Sequence, residues 1–105
     1  MARIQGQESF LLKTQAVELA VTAAGGMLGP VSFFPQDAAP IRPYAVAPWA
    51  EESLPPGTPS MLASLRGDWF CSAFGENSEP HVGHELPPHG ESANRKWRGI
   101  ARGET

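Results

Sequence analysis

The side chains able to do chemistry gather in the second half of the chain: Arg66, Asp68, Cys71, His81, His84, Glu85, His89, Glu91, Asn94 and Arg95. Imidazole nitrogen and carboxylate oxygen are what zinc takes, so the three histidines with Glu85 are the first constellation to weigh. Their spacing argues against a metal site. They lie in a Pro- and Gly-rich stretch that predicts no helix to bring two ligands onto one face, and a second cysteine is absent. We therefore expect no metal and no cofactor, and we read these histidines as loop residues. Cys71 as a nucleophile requires a neighbouring base or a helix N-terminus to generate thiolate, whereas the pattern around it is that of a small residue in a core strand. The tripeptide Arg66-Gly67-Asp68 matches an adhesion ligand, but such a ligand sits on an extracellular loop tip, and the N-terminus shows no secretory h-region.

These residues must be positioned by a small domain. The chain has 105 residues, eleven Gly and eleven Pro, and an apolar fraction of 41%, a composition that disfavours long helices and coiled coils. Eight basic against eleven acidic side chains leave a net charge of −3, which disfavours nucleic acid and anionic membrane as partners. No apolar run approaches the roughly 18 residues of a membrane span. A single cysteine suits a reduced, cytoplasmic setting.

Period-two patterning is clearest at Val17, Leu19 and Val21, which predicts a strand with one apolar face. A glycine turn at Gly25-Gly26 leads into a second alternating stretch through Leu28 and Phe34, so the two form a β-hairpin. Pro30 removes a ladder donor and places the second strand at an edge or a bulge. Residues 8–13 add a third short strand. Seven prolines between 35 and 59 exclude helix and central strand there and predict an extended loop pinned by Tyr44, Val46 and Trp49. One helical turn is expected over 59–65. A strand is expected over 68–74, with Trp69, Cys71 and Ala73 on one face and Phe70, Ser72 and Phe74 on the other, apolar enough on both to be central.

The stretch Leu65-Arg66-Gly67-Asp68-Trp69-Phe70-Cys71-Ser72-Ala73-Phe74-Gly75, followed after a polar loop by Leu86-Pro87-Pro88-His89-Gly90-Glu91-Ser92-Ala93-Asn94-Arg95-Lys96-Trp97, resembles the aldose 1-epimerase (galactose mutarotase-like) superfamily, in particular its hexose-6-phosphate epimerase-like branch. There an Arg-Gly-Gly opens a strand ending in Phe-Gly, and a loop leads to Leu-Pro-x-His-Gly-Phe-x-Arg-Asn-x-x-Trp. The resemblance covers most of residues 17–97, although its specific part is short. It departs from the pattern at Asp68, at Glu91 in place of phenylalanine and at Ala93 in place of arginine. Loss of that arginine removes the natural bidentate partner of a phosphate, so an uncharged sugar is implied.

The resemblance implies an all-β fold: the N-terminal part of an antiparallel β-sandwich, the galactose mutarotase-like supersandwich, with residues 35–59 as a Pro-rich wrapping loop. Residues 1–105 are then expected to be a single incomplete domain, an N-terminal fragment. Mutarotation of an aldose needs one general base and one general acid, which the family carries further along its chain, so no catalytic residue is expected here. Arg66, His89 and Asn94 match substrate-holding positions. Arg66 and His89 would hydrogen-bond sugar oxygens, while Asn94 would equally serve by fixing the loop through backbone bonds. Against this stands a wholly structural use of all three. Two other readings stay open: a stand-alone β module stacking a sugar on Tyr44, Trp49 and Trp69, and an assembly fragment that self-associates through open sheet edges.

Overall fold

A computed structural model of the chain describes residues 1–103. Four strands follow one another in sequence and in space: β1 (Ala2–Ile4), β2 (Gln7–Lys13), β3 (Val17–Thr22) and β4 (Leu28–Phe33), an antiparallel sheet of order β1-β2-β3-β4. Two short helices, α1 (Ser60–Ser64) and α2 (Glu91–Asn94), complete the regular elements. The protein is of the all-β class. No helix among the described residues is long and apolar enough to cross a membrane.

The expected hairpin is β3–β4, with Leu19 opposite Val31 and Val17 opposite Phe33. Its ladder slips between Leu19 and Val21, beside the Gly29–Pro30 peptide, which is cis. That irregularity is the bulge that a proline in a paired strand demands. The third strand is β2, its Phe10 facing Val21 and its Leu12 facing Leu19. The expected helical turn is α1.

Residues 68–74 differ from expectation. They form no strand: Asp68 makes one two-bond bridge to Leu28, and Ser72 bridges Gly90 in parallel. Their faces nevertheless alternate as read from the sequence, since Trp69, Cys71 and Ala73 are half-buried while Phe70, Ser72 and Phe74 are exposed. A central strand needs a ladder on both sides, and here neither side offers one longer than a single bridge.

The buried core is small: Ala20, Ala23, Met27, Val31 and Ala93, with Ser9, Thr22, Ser64 and Arg66 among them. The Thr22 hydroxyl accepts from the Met27 amide at 3.0 Å and donates to the Ala24 carbonyl at 2.6 Å, closing the 23–27 turn. The chain returns to this turn at its far end. The Trp97 amide donates to the Ala23 carbonyl at 2.7 Å, and the indole lies so close over Gly26 that a Cβ there would enter the ring.

Candidate functional site

His89 is the best-framed of the expected site residues. It follows Pro87-Pro88 in a turn closed by the Gly90 amide donating to the Pro87 carbonyl at 2.9 Å, and its own amide donates to the Gly75 carbonyl at 2.8 Å. The backbone at His89 is left-handed, φ 62°, and Gly90 follows at φ 89°. Any side chain at Gly90 would run into the Ser72 carbonyl, so glycine at 90 is a steric requirement of this turn. These backbone ties present the imidazole to residues 69–74. Its Nδ1 lies 3.6 Å from Cys71 Sγ. Two rings meet it edge-on, Trp69 with centroids 5.7 Å apart and Phe74 at 6.2 Å, both nearly perpendicular.

This frame settles the chemistry open to His89. If the Cys71 thiol donates to Nδ1, the ring proton sits on Nε2, which has no hydrogen-bond partner among the described residues. Next to it, the Trp69 indole N–H is buried without an acceptor. The imidazole is half-buried, and the indole N–H beside it is enclosed rather than presented at the surface.

Asn94 does not reach this surface as a free side chain. Its amide donates to the Pro88 carbonyl at 2.6 Å and to the Gly90 carbonyl at 2.8 Å, bracketing His89 from both sides. Its amide is thus engaged in bracing the turn that carries His89. Asn77 does the same from the other flank, donating to the Ala73 and Pro87 carbonyls, each at 2.9 Å. Sequence reasoning missed Asn77, since a lone Asn in a polar loop gives no sign of partners on two separate segments.

Arg66 is engaged elsewhere. Its side chain is wholly buried, with one terminal nitrogen donating to the Leu65 carbonyl at 2.6 Å and the other to the Gln5 carbonyl and, at 2.8 Å, to the Ala50 carbonyl. It ties the β1–β2 turn to the Pro-rich segment. Burial draws the guanidinium below its ordinary pKa and the charge of Glu51 works the other way. The group is spent on backbone, with only Nε and the nearby Gln5 Oε1 left unpaired.

The remaining candidates are local. His81 and His84 face each other across a tight turn, exchanging backbone bonds of 2.8 and 2.9 Å, with Val82 and Gly83 both at positive φ. Glu91 pairs with Arg95 at 2.6 Å on an exposed face. Among the described residues no cluster of three or more His, Cys, Asp or Glu side chains is placed to hold a metal ion. Trp49 donates its indole N–H to the Leu62 carbonyl at 3.0 Å and so anchors the Pro-rich segment to α1.

No relative emerges from comparison. Neither a protein-family model, nor a curated protein, nor a solved structure matches this chain. The functional reading therefore rests on the residues themselves. Ala93 is 2% exposed and packs its carbonyl against Gly25. A guanidinium has no room there.

Proposed function

We propose that this chain is the sugar-binding layer of an aldose 1-epimerase-like protein, binding an uncharged aldose through His89 and Trp69. In this reading the four-stranded sheet is one layer of a two-layer sandwich of the galactose mutarotase type. No residue of 1–105 is assigned the role of general acid or base in this reading.

The observation that supports this reading best is the pairing of a braced imidazole with an unsatisfied indole N–H. A buried donor without an acceptor is unfavourable by about 1–3 kcal/mol; because the indole nitrogen is enclosed, a sugar hydroxyl becomes its acceptor only as the side chains over Trp69 move aside. Proline and glycine fix the histidine's backbone while Asn94 and Asn77 hold its turn, which is what a binding side chain requires to lose little entropy on engagement. Arg66, with its donors engaged by carbonyls, is not assigned a sugar contact, and Asn94 acts through the turn.

Calorimetric titration with D-galactose and D-glucose tests it. His89→Ala removes one hydrogen bond worth about 1.5 kcal/mol and should weaken the better-bound sugar about tenfold, with the far-ultraviolet dichroism unchanged. Equal affinity in the variant and the parent would remove His89 from the site.

A further inference from the structure

Cys71 and His89 form a pair whose chemistry sugar binding leaves unused. Alternation over residues 68–74 predicts Cys71 as an inert core residue, but the stretch forms no strand and Cys71 is a free, half-buried cysteine. A thiol sealed in an apolar core is unreactive, whereas a partly exposed one with a base in reach is a nucleophile. Cys71 Sγ lies 3.6 Å from His89 Nδ1, within hydrogen-bond range for sulfur.

An activated nucleophile needs a base within reach and further groups that hold the base in place. Both are present. The turn that carries the imidazole is closed by the Gly90 amide on the Pro87 carbonyl and tied down by the His89 amide on the Gly75 carbonyl. Asn77 holds the two halves of the pair together: its amide donates to Ala73, two residues beyond the thiol, and to Pro87, two residues before the imidazole. The edges of Trp69 and Phe74 flank the ring. Cys71 is the one hydrogen-bond partner of the imidazole among the described residues.

We propose that Cys71 is a modification site, a thiol primed by His89 for exchange with a small disulfide such as glutathione disulfide. His89 Nδ1 takes the thiol proton. The Cys71 sulfur attacks one sulfur of the disulfide, and a new S–S bond forms as the old one breaks. The other half leaves as a thiolate and takes up the proton from the imidazolium. One disulfide replaces another, so the exchange requires no separate oxidant. With a single cysteine in this chain, the mixed disulfide has no internal thiol to resolve it and persists until an external thiol removes it. The inference concerns the thiol and stands whether or not a sugar binds at His89.

The test is the rate at which Cys71 reacts with a chromogenic aromatic disulfide at neutral pH, in the folded chain and in the same chain unfolded in urea. A free thiol is only a few per cent thiolate at neutral pH, so the paired base should make the folded chain react about tenfold faster than the unfolded one. His89→Asn keeps the left-handed backbone, which asparagine tolerates, and removes the base; its folded thiol should react about tenfold more slowly than that of the folded parent. A folded parent that reacts no faster than the unfolded chain overturns the proposal, and so does a folded variant that reacts as fast as the parent. Should the variant fail to fold, the comparison within the parent decides alone. Incubation with glutathione disulfide should add one glutathione per folded chain by intact mass, and a parent that stays unmodified overturns the proposal as well.

Discussion

Replacing Arg66 by methionine separates the two roles that its motif position allows. Methionine approximates the volume and removes every donor. The Gln5 and Ala50 carbonyls, acceptors on two segments distant in sequence, then lose their donor at half-buried positions. Each orphaned carbonyl is unfavourable by about 1–2 kcal/mol at such half-buried positions. Relief of the guanidinium's burial, the larger cause of its lowered pKa, offsets part of that loss, because a buried charge is itself costly. The net expected destabilisation is about 1–3 kcal/mol. A domain of this length has a total stability of about 5–15 kcal/mol, so the effect is large. In urea, followed by tryptophan fluorescence, the midpoint should fall by about 1 M for a slope near 2 kcal/mol per molar. Sugar affinity measured on the folded fraction should be unchanged. A midpoint that stays or rises, accompanied by loss of sugar binding, would refute this reasoning and make Arg66 a ligand-holding residue.

Two further outcomes follow from the turn that carries His89. Gly90→Ala places a methyl group against the Ser72 carbonyl at φ 89° and should destabilise the protein by about 2 kcal/mol or more, read from the same urea midpoint. Asn94→Asp keeps the shape but cannot donate to the Pro88 and Gly90 carbonyls; it should lower stability by about 1–2 kcal/mol and weaken sugar binding as much as Asn94→Ala does. A carboxylate that bound sugar normally would instead place Asn94 at the ligand.

The hairpin was legible because Val17, Leu19 and Val21 announce one apolar face and Gly25-Gly26 announces the turn; both are local signals. β1 was not legible, since three residues with Arg3 at the centre carry no period, and it exists only because Gln5 and Gly6 turn the chain back onto β2. The 68–74 stretch shows the limit of periodicity. Alternation correctly sorted Trp69, Cys71 and Ala73 from Phe70, Ser72 and Phe74, but a strand also needs neighbours, and those depend on what packs outside the segment. Arg66 shows another limit: its acceptors at Gln5 and Ala50 lie 61 and 16 positions away, and no spacing rule connects them. The left-handed backbone at His89 was equally hidden, because only the Gly that follows it signals such a turn.

The central claim is that an uncharged aldose docks at His89 and Trp69. Its most direct test is a nitrogen-15 correlation spectrum of the chain titrated with D-galactose and, separately, with D-galactose 6-phosphate. The account predicts saturable shifts of the Trp69 indole N–H and of the His89 and Gly90 amides with the neutral sugar, and weaker ones with the phosphate. Signals of these three groups that do not move with either sugar, while the spectrum shows a folded chain, would contradict it.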